Sequence, residues 1–156
     1  MKLFTIGFTQ RNAENFFGEL MKSGTSQVVD VRLNNVSQLA GFSKKDDLKY
    51  FLQSLGGIDY IHMPVLAPTK DILNEYKKNK GSWAIYEHKF RKLMESRKIE
   101  IEMTTDDLDN SCLLCSEHDA HHCHRRLVAE YLNQQWDKLV DLHNWFGNLQ
   151  STRLSL

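Results

Sequence analysis

Ser111 to Glu130, SCLLCSEHDAHHCHRRLVAE, holds all three cysteines and four of the seven histidines of the chain. Its first part, Cys112-Leu113-Leu114-Cys115, is a short continuous apolar run, the pattern of a strand buried on both faces. Toward its end Leu127 and Val128, followed by Tyr131 and Leu132, recur at helical spacing and mark an amphipathic helix. Ser116 to His122, between the two, is polar. Open α/β sheets bind ligands outside the carboxyl ends of their strands, where a strand hands over to a helix. In this chain that place carries thiols, imidazoles, the Glu117 carboxylate and the guanidiniums of Arg125 and Arg126.

Working outward, the same alternation recurs. Leu3 to Ile6 is β-prone and stops at Gly7. Phe16, Phe17, Leu20 and Met21 share a helical face that ends near Gly24. Gln27 to Val31 is β-branched and continuous, with Asp30 at its end and Arg32 two residues on, hence on the same side. Leu33 to Ser43 reads as an irregular polar loop. Asp47 to Leu55 is helical before Gly56-Gly57, and Ile58 to Met63 is a third strand ended by Pro64. Pro68 and Thr69 open a helix with a lysine-rich end at Lys77 to Gly81, and Trp83 to Met94 is another. Ile99 to Met103 fits either an edge strand or a helix tail. Asp106 to Asn110 reads as a turn, and Leu139 to Leu142 as a last strand. Strands alternating with helices predict an α/β fold, a single domain spanning 1–156 with a mainly parallel sheet and helices on both faces. Parallel strands place their carboxyl ends on one edge, so Thr9, Asp30, Arg32, Tyr60, His62, Cys115 and Glu117 are expected to gather there.

Composition narrows the function classes. A chain of 156 residues is large enough to close a pocket. Lys+Arg equals Asp+Glu at 20 each, so no global field draws the protein to nucleic acid or to an anionic membrane. The apolar part of MKLFTIGFTQR is too short for a signal peptide, and no span reaches transmembrane length. A cytoplasmic protein without a membrane partner is expected. An odd number of cysteines does not suggest a secreted disulfide framework, so clustered thiols point to catalysis, metal binding or redox sensing.

Individual residues sharpen this. Cys112 and Cys115, three apart in a strand, face opposite sides of the sheet. Their C-x-x-C string therefore does not form a zinc knuckle, which needs both sulfurs in one turn, and Cys112 reads as core. Cys123 falls in the first turn of the next helix, where free amides and the helix dipole are expected to lower a thiol pKa. Arg125, beside the same amides, suits an anion, whereas Arg126 reads as a solvated helix face. Cys115, Cys123, His124 and the loop histidines His118, His121 and His122 have the donor types of a Zn²⁺ site, although their spacing matches no familiar finger. Asp30 and Arg32 are placed to pair and to orient an anion or a catalytic group.

The series Thr5-Ile6-Gly7-Phe8, Asp30-Val31-Arg32, Gly41-Phe42-Ser43, Tyr60-Ile61-His62, Leu113-Leu114-Cys115-Ser116-Glu117 and Cys123-His124-Arg125-Arg126 resembles the family called domain of unknown function 488. The resemblance runs from about Thr5 to Leu132, and L-L-C-x-E with C-H-R is its specific part. It implies a small cytosolic α/β domain with two functional cysteines, here Cys115 and Cys123, accompanied by Glu117, His124, Arg125, Asp30 and Arg32. The chain departs from the family pattern after Asp-Val-Arg, where Leu33 to Gln38 replaces a proline and Ser-Arg. It departs again at Leu66-Ala67-Pro68, where the family has a glycine-rich turn.

The expected function is an enzyme acting on an anionic substrate, a small molecule related to a nucleotide or a nucleic-acid end. Cys115, Cys123, His124, Glu117 and Asp30 are its candidate catalytic groups. Arg32, Arg125, Thr9, Tyr60 and His62 are candidates for substrate contact. Three alternatives accompany this reading. One is a Zn²⁺-binding module with Cys115, Cys123, His118 and His122 as ligands. Another is a reversible Cys115–Cys123 disulfide switch. The last is a nucleic-acid accessory protein using Lys44, Lys45 and the lysines of 77–80, against which the zero net charge argues.

Overall fold

The strands arise where apolar residues run without interruption, and the order in which they pair sets where the chemistry lies. The structure, a computed structural model, describes residues 1–137 and the strand segments 141–144 and 152–153. In chain order the strands are β1 (Lys2–Gly7), β2 (Gln27–Asp30), β3 (Asp59–His62), β4 (Ser111–Cys115), β5 (Asp141–Asn144) and β6 (Thr152–Arg153). The helices are α1 (Ala13–Ser23), α2 (Lys45–Gly56), α3 (Lys70–Lys77), α4 (Trp83–Arg97), α5 (Ile99–Glu102), α6 (Thr105–Leu108) and α7 (His124–Gln135). The sheet order is β3-β2-β4-β1-β5-β6; the first five strands are parallel, and β6 is antiparallel to β5. The α/β fold read from the sequence is therefore the one observed.

β4 inserts between β2 and β1, pairing Leu114 with Asp30 and Cys115 with Gly7. Such a strand has neighbours on both edges and helices on both faces, which is why all five of its residues are buried and four are apolar or thiol. The chain first steps from β1 through β2 to β3, then returns to β4, between β2 and β1, and on to β5 beyond β1. Right-handed crossovers taken in opposite directions must lie on opposite faces.

Two cores result. Phe4, Ile6, Val28, Cys112 and Leu114 pack against Phe16, Phe17 and Leu20 of α1 and Leu48 and Leu52 of α2. Leu3, Val29, Leu113 and Cys115 pack against Tyr86, Phe90 and Met94 of α4 and Leu127, Val128 and Leu132 of α7. Alternation along β4 thus sends Cys112 to one core and Cys115 to the other, as the strand period requires.

Local chemistry explains the boundaries. Asn12, Thr69 and Ser82 each accept a hydrogen bond from a first-turn amide of the helix they precede. Gly24 ends α1 with φ 71°, in the left-handed region that glycine enters at little cost. Two expectations change and one open alternative is decided. The polar loop Leu33 to Ser43 contains a 3₁₀ turn at Gln38–Ser43, opened by Ser37. Ile99 to Met103 is helical over Ile99–Glu102 and not a strand, because Ile99 turns into the second core while Ile101 stays in solvent. Most of Asp106 to Asn110 is α6, closed at its start by a reciprocal Thr104–Asp107 capping box. The last expected strand overlaps β5 at Asp141 and Leu142; Leu139 and Val140 lie outside the described residues. Among the described residues no helix is long and apolar enough to cross a membrane.

Candidate functional site

Cys115 closes β4, and seven residues of loop carry the chain to Cys123, the N-cap residue of α7. Cys123 precedes the first turn in which the sequence placed it. Its backbone is extended, with φ −137° and ψ 138°. That conformation turns its side chain back toward the end of β4.

The loop is held from both sides. Thr9, just beyond β1, donates both its amide and its hydroxyl to the Ser116 carbonyl. Arg125 Nη1 donates to the Glu117 carbonyl and Nη2 to the His118 carbonyl at 3.0 Å. Gly7 makes this approach feasible, since a Cβ there would overlap the Glu117 carbonyl. A wholly buried guanidinium is costly unless its donors are used. Arg125, 1 % exposed, uses Nη1 and Nη2 on this loop and Nη1 also on Cys123 Sγ at 3.4 Å, while its buried Nε has no hydrogen-bond partner.

Cys115, Cys123 and His124 converge. One donor atom from each lies within 4.8 Å of the others, and all three residues are buried. His124 Nε2 sits 2.7 Å from the Val31 carbonyl. A carbonyl only accepts, so Nε2 carries a hydrogen, and Nδ1 is the ring atom that faces Cys115 Sγ, 3.6 Å away. Phe90 packs edge-on against the imidazole with centroids 5.7 Å apart.

The electrostatics differ from the sequence expectation. A hydrogen bond from the Cys123 thiol, together with the charges of His124 and Arg125, holds the Cys115 thiol well below its usual range despite burial. Cys123, which its place at the helix start was expected to acidify, is instead pushed well above that range. Its burial and the adjoining Cys115 thiolate outweigh Arg125 and the helix amides. For His124 burial opposes the cation, yet the Cys115 charge wins and its pKa rises. Cys112, enclosed in the other core, is pushed far up by burial alone and takes no part.

These groups form the floor of a cavity of about 240 Å³. Tyr76 from the end of α3 and Trp83 and Tyr86 from the start of α4 make its aromatic wall, and Lys77, Glu117 and His122 line it too. Lys77 Nζ is ion-paired with Glu117 at 2.5 Å, both side chains being about half exposed at 52% and 42%. Trp83 stacks on Tyr86 with centroids 4.9 Å apart and lies 5.1 Å from the His122 ring.

The remaining expected site residues form a second cluster beside this one. Asp30, fully buried, accepts from Arg32 Nε and Nη2 at 2.8 and 2.7 Å and from the Tyr60 hydroxyl at 2.7 Å. Arg32 Nη2 also donates to the Ser43 carbonyl at 2.8 Å, and His62 Nε2 lies 2.8 Å from the Arg32 carbonyl. Of this group only Arg32 lines the cavity. The loop histidines divide. His118 turns to the Thr9 carbonyl at 3.1 Å, His122 borders the cavity against Trp83, and neither belongs to the sulfur–imidazole group, whose imidazole is His124. Arg126, expected in solvent, pairs with Glu130 at 2.9 Å and approaches Glu87 at 3.7 Å. The aromatic wall was not foreseen as part of a site, because Tyr76 and Tyr86 fit helical stripes. Trp83, at the first position of its helix, was the available signal.

Residues 12–132 match the family model described as Domain of unknown function DUF488. The chain belongs to that family. The matched span takes in Cys115 and Cys123, the Asp30–Arg32 pair and the whole aromatic wall, and it begins just after Thr9. No curated protein and no solved structure matches the chain.

Proposed function

We propose that this DUF488 protein is an enzyme acting on a small anionic substrate of nucleotide or nucleic-acid character, with Cys115, Cys123 and His124 as its reacting groups. The observation that carries the reading is the convergence of these three side chains on the floor of a cavity with an aromatic wall. Ligand sites are mostly apolar concavities with a few convergent polar groups. At about 240 Å³ the cavity suits one heterocycle better than an oligomer. A flat ring lies against Trp83, where base–aromatic stacking is worth about 1–3 kcal/mol. Lys77 meets the anionic part, exchanging its half-exposed partner Glu117 for the substrate. Glu117, once released, handles a proton. Arg32 and Arg125 serve as scaffolding, because Arg32 is held by Asp30 and Ser43, and the terminal nitrogens of Arg125 by the carbonyls of the 117–118 loop.

The test is a thermal-shift and turnover panel of free bases, nucleosides and mononucleotides. A mononucleotide is expected to raise Tm, by the equivalent of about 2.7 kcal/mol at a hundredfold excess over Kd. Trp83→Ala should cancel the shift, and Cys115→Ala should retain binding without product formation. Absence of any shift at millimolar ligand, or full turnover in Cys115→Ala, refutes the proposal.

A further inference from the structure

We propose that Cys115 Sγ, Cys123 Sγ and His124 Nδ1 bind one Zn²⁺ ion, leaving its fourth coordination position open to the aromatic cavity. Binding needs only the three side chains. A catalytic part for the ion rests on the enzyme reading above, with Cys115, Cys123 and His124 then acting through the ion they hold and not as free reacting groups.

Geometry supports it first. Zinc lies about 2.3 Å from sulfur and about 2.0–2.1 Å from nitrogen in tetrahedral sites, which separates a sulfur and a nitrogen ligand by about 3.6 Å. Cys115 Sγ and His124 Nδ1 are 3.6 Å apart, and the three donor atoms lie within 4.8 Å of one another.

Outer contacts agree. A zinc-bound imidazole almost always donates its other N–H to a carbonyl or carboxylate, which fixes tautomer and ring orientation. His124 Nε2 does this to the Val31 carbonyl at 2.7 Å. Arg125 donates to Cys123 Sγ at 3.4 Å while anchoring the loop between the two cysteines, so one ligand and the loop are held by the same buried side chain.

Charge and coordination number point to the use of the site. Two thiolates neutralise the ion, and buried Arg125 leaves the cluster net positive, which favours an anionic or oxygen ligand at the remaining position. Structural zinc sites are closed by four protein ligands, whereas sites that act on substrates keep one position free. Among the described residues the cluster offers three ligands, and all three line the cavity. Glu117 lines the same cavity outside the ligand set, where it is ion-paired with Lys77.

The test uses the full chain without a histidine tag. Metal content is measured as purified, then Zn²⁺ affinity by competition with a chromophoric chelator, then the absorption spectrum with Co²⁺ in place of Zn²⁺. The expected result is one ion per chain and a Co²⁺ spectrum of tetrahedral, thiolate-bound type. Cys115→Ser, Cys123→Ser and His124→Ala should each weaken binding at least tenfold, the smaller effect already known for lost outer contacts being about 10–100-fold. Cys112→Ser should bind as the parent does. To separate loss of a ligand from loss of the fold, Zn²⁺ protection of Cys115 and Cys123 from alkylation is measured in the parent protein too. Content below about a tenth of an equivalent with no protection overturns the proposal, since a built site holds zinc tightly. So does loss of binding in His118→Ala or His122→Ala with His124→Ala unaffected. Nucleotide turnover by metal-free protein removes the catalytic part of the ion and keeps the enzyme; stoichiometric zinc without any ligand or turnover keeps the zinc site and removes the enzyme.

Discussion

Replacing Asp30 with alanine should be among the most damaging single changes in the chain. Its carboxylate is fully buried and takes donors from Arg32 N, Nε and Nη2, from Tyr60 and from Asn35, at 2.7 to 3.3 Å. Arg32 is 3 % exposed, so Asp30→Ala leaves a guanidinium without its counter-charge and away from water. Removing one partner of a buried pair costs about 3–5 kcal/mol. With a urea slope of about 2 kcal/mol/M, the unfolding midpoint should fall by about 2 M. Replacing both members by apolar residues of similar size is often neutral or stabilising. Asp30→Leu with Arg32→Met should therefore recover part of the loss, the remainder coming from the Tyr60 hydroxyl, the Asn35 amide and the Ser43 carbonyl, which lose a partner at up to about 1–3 kcal/mol each. Urea titrations of the two single variants and the double variant measure the coupling directly. A loss under about 1 kcal/mol in Asp30→Ala, or a double variant as unstable as the single, would refute the reasoning that this pair is a scaffold beside the site.

Two further outcomes follow from the packing. Gly7→Ala drives a methyl group into the Glu117 carbonyl and to 3.0 Å from Arg125 Nη1. The 116–118 loop must move, so a stability loss of at least about 1–3 kcal/mol is expected, together with weaker zinc binding; an unchanged urea midpoint would contradict the observed approach. Burial and the hydrogen bond to Asp30 raise the Tyr60 pKa well above its usual value. The unfolded chain ionises this phenol near about pH 10. The contribution is thus fully present below that pH and lost as pH rises toward the folded value. Tyr60→Phe should flatten the decline of the urea midpoint above about pH 10, and an identical slope in the two proteins would show that Tyr60 does not contribute to it.

Much of the fold is legible because periodicity is a local property. Continuous apolar runs mark β2 and β4, and amphipathic stripes mark α1, α2 and α4. Their alternation leads to a parallel sheet with the ends of β1, β2, β3 and β4 on one edge. The opposed faces of Cys112 and Cys115 need only the two-residue period of a strand. Short polar segments are less legible. The four-residue helices α5 and α6 rest on contacts from distant parts of the chain and on a cap: Ile99 and Leu108 in the core, Tyr131 on Glu100, and Thr104 with Asp107. No periodic signal builds up over so few residues.

By itself the sequence determined that thiols, imidazoles and guanidiniums stand where a buried strand turns into a helix. Only the tertiary structure decided which of them remain available. The order β3-β2-β4-β1 brings the Val31 carbonyl under His124, so His124 and not His118 or His122 faces the sulfurs. The same order sets Gly7 against the loop and lets Arg125 spend its donors on it, and α3 and α4 return to wall the cavity with Tyr76, Trp83 and Tyr86. Local spacing says which way a side chain leaves its own element. What fills its hydrogen-bonding capacity comes from residues far along the chain, placed by strand order and packing.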